Sequence, residues 1–318
     1  MALSIDVLSS YPPVQEAEVD KVLAEEIRDN EKKIVVLDDD PTGVQTVHDI
    51  SVYTNWEKAS IEQGFAEENK LFYILTNSRG FTAAQTEKAH KEIAEVVDQV
   101  AKETGKEYLF ISRSDSTLRG HYPLETTILK DEYEKNTGKK IDGEVLCPFF
   151  KEGGRFTIDD VHYVQYDDTL VPAAETEFAK DKTFGYTVSN LKEYVEEKTQ
   201  GAYKKENVTA ISLEDIRELN YDKIEEQLLA VEDFNKVIVN AIDYVDVKIF
   251  CVALFRAMKK GKNFMFRTAA AIVKVMGGVS DQPLLTREQM VVKETDNGGI
   301  IVVGSHTDKT TRQMEKLR

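Results

Sequence analysis

The chain is poor in cysteine, in positive charge and in long apolar runs, and each shortage closes off a class of protein. Two cysteines, Cys147 and Cys251, in 318 residues are too few for a disulfide framework and lack the CxxC spacing of a zinc site. Both lie in apolar runs, VLCPFF and IFCVALF, where a buried and inert thiol is expected. Lys and Arg number 41 against 57 Asp and Glu, a formal charge of −16. Such a field repels nucleic acids and anionic membranes, and no basic patch offsets it. No stretch approaches the ~18 apolar residues of a membrane-spanning helix. The start, MALSIDVLSSYPPVQ, lacks the basic opening and apolar block of a secretory signal, so a cytoplasmic address is expected. Neither GxxxxGK[ST] nor GxGxxG occurs, and His48, His90, His121 and His306 show no metal-ligand spacing such as HExxH. No metal site, internal repeat or low-complexity tract is expected.

What is present is an ordinary globular composition, 41% apolar and 31% charged, long enough for two domains or one large one. From residue 33 onward, short apolar runs alternate with helical stretches. Strands are expected at 33–39, 50–54, 71–76, 108–112, 144–150, 208–212, 236–241, 263–266 and 299–305. The clearest helix runs from a Thr82 cap to a Gly105 stop, with Ile93, Val96, Val97 and Val100 at three-to-four spacing. Others are expected at 213–219, 221–231, 245–259 and 268–275. The alternation predicts an α/β fold, a largely parallel sheet with helices on both faces. The acidic, aromatic segment from about 153 to 188 reads as a hairpin followed by an ordered loop near the site. Residues 1–32 read as an N-terminal extension and 33–276 as the main domain. Residues 277–318 read as a linker and the first strand–helix unit of an incomplete second α/β domain, with its helix starting around Thr307.

Three motifs fall where strand ends deliver side chains, the place where open α/β sheets bind ligands. LDDDPTG (37–43) aims three successive carboxylates from a strand end through a turn set by Pro41 and Gly43. Mutual repulsion among them suggests a cation or substrate hydroxyl to bind, although a solvated Asp-rich turn reads the same way. LTNSRGF (75–81) supplies Ser78, Arg79 and a glycine. ISRSDSTLRGHY (111–122) packs Arg113, Ser114, Asp115, Ser116, Arg119 and Gly120 together. Guanidinium groups hold carboxylates by paired hydrogen bonds, while Ser and Asp suit hydroxyls, so the three clusters together suggest a pocket for a polyhydroxy acid. Asp159-Asp160 with His162 reads as a turn entering a strand, the alternative being a base with a proton carrier. His90 reads as a surface residue, His121 as a neighbour of the third motif, and Trp56 as packing. Gly304-Ser305, before a helix start, could offer N–H groups to a phosphate, as could any strand–helix turn.

LDDDPTG, LTNSRG, SRSDSTLRGHYPLE, DKTFGYTVSNL, FRTAAA (266–271) and VVGSHTDKTTRQ, in that order, resemble the four-carbon acid sugar kinases. The likeness runs from about residue 33 to the last residue. It implies ATP-dependent phosphorylation of the 4-hydroxyl of threonate, erythronate or 3-oxo-tetronate. The architecture implied is an N-terminal acid-binding domain and a C-terminal nucleotide-binding domain, with Mg²⁺ bridging the nucleotide phosphates. Carried over by position, the family's DDxTG becomes Asp39, Asp40, Thr42 and Gly43, and its SDST-R-G stretch becomes Ser114, Asp115, Ser116, Thr117, Arg119 and Gly120. Gly304 and Ser305 become nucleotide contacts. Asp39, Asp40 and Asp115 are the candidate bases, and Arg79, Arg113 and Arg119 the cations for the acid end. The Gly-rich segments of the nucleotide domain would follow residue 318, so a truncated form is expected. Its partners would be the sugar acid, ATP, and a homo-oligomeric copy or a separately encoded nucleotide domain.

Two other readings compete. Asp38-x-Asp40-x-Thr42 also fits the DxDx[TV] pattern of haloacid-dehalogenase-type phosphatases, with Asp38 as nucleophile and Asp40 as acid/base. A non-catalytic acid-binding fragment, completed by a partner, is the third.

Overall fold

Alternate residues of each central strand feed opposite cores, and this period of two fixes how the layers assemble. The computed structural model describes residues 1–291, 293, 297–304 and 308–318. In chain order, the first unit runs β1 (Leu3–Ser4), α1 (Glu16–Asp29), β2 (Lys33–Asp38), β3 (Val52–Tyr53), α2 (Lys58–Ala66), β4 (Leu71–Leu75), α3 (Ala83–Thr104) and β5 (Tyr108–Arg113). It continues α4 (Leu124–Thr137), β6 (Gly143–Cys147), β7 (Arg155–Ile158), β8 (Val161–Tyr166), β9 (Thr169–Pro172), α5 (Leu191–Lys198), β10 (Thr209–Ile211) and α6 (Leu213–Arg217). Then follow α7 (Tyr221–Leu229), β11 (Asn235–Val239), α8 (Tyr244–Lys259), β12 (Phe264–Thr268) and α9 (Ala270–Met276). The second unit, residues 282–318, carries α10 (Arg287–Met290) and α11 (Asp308–Leu317).

Eight strands form one parallel sheet in the order β10-β11-β6-β12-β5-β2-β4-β3. On β2, Ile34 and Val36 face a core shared with α1 and α6–α9, while Val35 and Leu37 face one shared with α2, α3 and α4. Both faces are therefore covered, as the uninterrupted burial of β2, β5 and β6 requires. The order reverses between β2 and β5: the chain leaves β2 toward β3 and β4, and leaves β5 toward β6. That switch point opens a crevice at the carboxyl ends of the two strands.

The expected strands and helices of the main sheet form, with ends shifted by a few residues. The run 144–150 stops at Cys147 because Pro148 has no N–H to give the ladder. The segment 153–188 holds more than the expected hairpin. β7, β8 and β9 form an antiparallel meander, and β1 pairs with β9, so residues 1–32 add a strand and a helix to this unit. Asp159 and Asp160, at φ 48° and 66°, make the tight turn between β7 and β8. His90 is buried rather than on the surface, its Nδ1 2.8 Å from the Thr86 carbonyl on the face of α3 that meets the sheet. The strand expected over 299–305 is not formed over 299–304, where a lone strand would have no neighbour to bond. Ser305, His306 and Thr307 lie outside the described residues. Both cysteines are buried, and burial pushes the Cys147 thiol up to about 12. Among the described residues, no helix is long and apolar enough to cross a membrane.

Candidate functional site

Strand register brings the three motifs into one row. Asp38 pairs with Leu75 of β4 and with Arg113 of β5, and Arg113 pairs with Thr268 of β12. The loops that begin there, 39–43, 76–81, 114–120 and 269–270, leave the sheet side by side. Backbone bonds tie them together: Asp39 N to Arg113 O at 3.2 Å, Arg79 N to Asp39 O at 3.2 Å, and Ser114 N to Thr268 O at 2.8 Å. FRTAAA, part of the resemblance but assigned no role from sequence, supplies the fourth member through Thr268 and Arg267.

The carboxylates and guanidinium groups are interlocked. Asp38 is fully buried and closes an ion pair with Arg113, whose Nη2 also donates to the Asp40 carbonyl at 2.5 Å. Arg79 forks across Asp39 (Nη2–Oδ1 2.7 Å, Nε–Oδ2 3.2 Å) and reaches Asp40 Oδ2 at 3.1 Å. Arg119 Nε meets Asp115 Oδ2 at 2.7 Å, and the Thr117 hydroxyl bonds the same oxygen. Gly43 is obligatory, because a Cβ there would run into Arg113 and Asp38. Gly120, at φ +121°, lies beside Asp39 and Arg267, and an added Cβ would sit 3.4 Å from Asp39 Oδ2.

This lattice separates the carboxyl groups chemically. Burial pushes Asp39 up to about 7, with Glu125 adding to the rise against the pull of Arg79 and Arg267. Burial also disfavours the Asp115 anion, but the charge of Arg79 and the hydrogen bond and charge of Arg119 outweigh it, holding the carboxyl below its usual range. Burial brings Arg113 down to about 10.

A cleft of about 50 Å³ opens at the centre of the row. Thr42, Arg79, Arg113, Ser114, Asp115 and Ser116 line it, joined by Phe150, Ala269 and Ala270. Asp39, Asp40, Gly43, Ser78, Arg119 and Gly120 stand behind this lining or at its rim. Ser78 points away, its hydroxyl donating to Glu125 at 2.9 Å. A larger cavity, about 600 Å³, lies beyond the ends of β10 and β11 and is lined by Asp159, Lys192, Arg217 and Asn240. None of the three motifs reaches it. Convergence of the reactive groups therefore marks the smaller cleft as the candidate site.

Sequence reasoning missed the groups that hold this arrangement. Glu125 is buried under the row, bonded to Ser78 and, at 3.5 Å, to Ser112. Arg267 donates to the Arg119 carbonyl at 2.8 Å. The loop 114–120 hangs from three further groups: His162 Nε2 lies 2.8 Å from Ser116 O, Tyr186 donates to Thr117 O at 2.8 Å, and Tyr194 donates to Leu118 O at 2.8 Å. Burial brings the His162 imidazole down to about 4, so the ring is neutral and its Nε2–H donates. His162 is thus a structural donor, while Asp159-Asp160 is the turn beside it.

The groups implied as cofactors find no site among the described residues. Gly304 is exposed and outside any strand, and no three His, Cys, Asp or Glu side chains are grouped to hold a metal ion. The phosphatase pattern also fails, since its nucleophile would be Asp38, sealed in the pair with Arg113.

An open parallel sheet with a polar crevice at its switch point defines an α/β small-molecule-binding domain. Residues 34–276 match the family described as a sugar-binding N-terminal domain, and the chain belongs to that family. Two solved structures share the fold. One is a domain of unknown function, DUF1537, from Bordetella bronchiseptica, a domain-swapped dimer with bound citrate (18% identity, TM-score 0.55, 77% of this chain and 55% of that one). The other is Haemophilus influenzae protein HI1011, also of DUF1537 (16% identity, TM-score 0.53, 76% and 55%). The chain thus spans about half the length of these structures. No curated protein matches it.

Proposed function

We propose that the chain is the acid-binding part of an ATP-dependent four-carbon acid sugar kinase, acting on the 4-hydroxyl of a threonate-, erythronate- or 3-oxo-tetronate-type acid. The observation that carries this reading is the in-register row Leu75–Asp38–Arg113–Thr268, which gathers the family's motifs around one cleft. Asp115 faces that cleft as a fixed anion suited to accept hydrogen bonds from substrate hydroxyls. Asp39, with its proton affinity near neutral pH, is assigned as the group that takes the hydroxyl proton, a role that requires the Arg79 fork in front of it to shift when substrate binds. Citrate in the Bordetella structure, a hydroxylated acid, supports a carboxylate-bearing ligand. ATP and Mg²⁺ would come with the nucleotide-binding domain that the family resemblance implies, in the cytoplasm.

The test is ATP consumption by the chain supplied with the nucleotide-binding domain of a full-length relative, for each acid in turn. Consumption that depends on one acid supports the reading. No dependence on any acid, with no calorimetric binding of any, removes it. A second reading, an acid-binding unit without turnover of its own, is favoured by the exposed Gly304 outside any strand. ATP consumption by the chain alone would exclude it.

A further inference from the structure

Most of the guanidinium groups around the cleft are already committed. Arg79 is neutralised by Asp39 and Asp40, Arg113 by Asp38, and Arg267 is buried and donates to a carbonyl. Arg155 differs. It opens β7, its Nε is buried without a partner, and among the described residues no carboxylate comes within ion-pair distance. Its guanidinium rests on the Phe178 ring, 5.5 Å from the centroid. Arg119 rests on the same ring at 5.0 Å, using its Nε for Asp115 and leaving its two terminal nitrogens without a partner among the described residues. The two cations therefore share one aromatic platform. Arg155 is tied to the cleft wall through its backbone pair with Phe150 (2.9 and 3.1 Å), and Arg119 through Asp115.

We infer that Arg155 and Arg119, mounted on Phe178, form the clamp that reads the carboxylate of the substrate. Holding two like charges against one ring is unfavourable unless an anion comes between them, and burial already lowers the proton affinity of Arg155. The charge balance selects the anion. Among the described residues, Asp115 is the one carboxylate bonded to either group, which leaves the pair at most a single positive charge, matched by a carboxylate rather than a phosphate dianion. Arg119 was expected from the sequence to hold the acid. Arg155 and Phe178 were not, because Arg155 opens the antiparallel meander and Phe178 lies in the helical turn Glu177–Lys180 after it, both well beyond the third motif in sequence. The clamp rests on the proposed acid-binding function and specifies which end of the ligand goes where.

The experiment is calorimetric titration of threonate and of its neutral analogue threonamide into wild-type protein, Arg155→Met and Phe178→Leu, with citrate as a second carboxylate probe. Wild type should prefer threonate to threonamide at least tenfold. Arg155→Met should abolish that preference while leaving threonamide affinity within twofold. Phe178→Leu, which keeps both charges, should reduce the preference severalfold and guards against misfolding of the first variant. Equal losses for both ligands, or an undiminished preference in Arg155→Met, would overturn the clamp while leaving the acid-binding function standing. If wild type binds no four-carbon acid yet binds citrate through Arg155, the clamp stands and the substrate assignment falls.

Discussion

Asp38 and Arg113 occupy paired register positions on adjacent parallel strands and close a buried ion pair directly beneath the cleft. The pair lies under Gly43, whose missing side chain is the space the guanidinium fills. Removing one partner of such a pair leaves a buried charge uncompensated, which costs about 3–5 kcal/mol. Arg113→Met should lose that much in urea unfolding, whereas Asp38→Asn with Arg113→Met should recover a good part of it. Gly43→Ala should cost about 1–3 kcal/mol by forcing the pair apart. A loss below ~1 kcal/mol for Arg113→Met would show that the pair does not organise the row.

Two buried groups respond to pH in opposite directions. Asp39 is raised from 3.8 to about 7, so the folded protein holds its proton more tightly than the unfolded chain. The stability this adds is fully present below pH 3.8 and is lost as pH rises through 7. His162 is lowered from 6.5 to about 4; its contribution is present above pH 6.5 and is lost as pH falls toward 4. Between about pH 4 and 6.5 the two slopes, each up to ~1.4 kcal/mol per pH unit, oppose one another. Asp39→Asn should therefore gain stability relative to wild type as pH rises through this window. His162→Gln should fall behind wild type over the same range. Parallel unfolding curves for wild type and both variants would refute the assignment.

The sheet was legible from the sequence because a two-sided parallel sheet writes itself as short continuous apolar runs. KIVVLD and YLFISR are buried at every position, and nothing but a strand suits them. The three motifs were legible for a related reason, since polar clusters directly after such runs fall on the carboxyl edge. What the sequence did not disclose is partnership. Arg79, Arg113 and Arg119 read as three free cations, yet each is held by an aspartate from its own or a neighbouring motif. His162, Tyr186 and Tyr194 act through hydrogen bonds to carbonyls 46, 69 and 76 residues away, and no local pattern announces such a bond.

Those tyrosines lead to a separate expectation. Leu118 sits at φ +69°, a conformation a leucine rarely adopts, and its carbonyl is held by the Tyr194 hydroxyl. Tyr194→Phe keeps the ring and removes the donor, leaving a buried carbonyl unpaired at a cost of about 1–3 kcal/mol. The variant should lose that stability and should also weaken acid binding severalfold, because Asp115 and Arg119 ride on the same loop. Calorimetry with unchanged affinity would mean that the loop keeps its shape without this bond.

Asp115 and Asp39 should separate binding from turnover. Asp115 lines the cleft and is held ionised by Arg79 and Arg119, so it serves as an acceptor that substrate binding needs at every pH of interest. Asp115→Asn also frees Arg119, and a hydrogen bond to a charged group contributes about 1.5–3 kcal/mol. Acid affinity should therefore fall by roughly ten- to a hundredfold. Asp39 is behind the lining and is already paired with Arg79, so Asp39→Asn should change affinity little. Turnover with the nucleotide domain supplied should fall instead, by the ~10²–10⁴-fold typical of a lost general base. In the wild type that turnover should rise with pH through about 7 as Asp39 loses its proton, a rise the variant should lack. If Asp115→Asn removes turnover without touching affinity while Asp39→Asn does the reverse, the two roles belong the other way round.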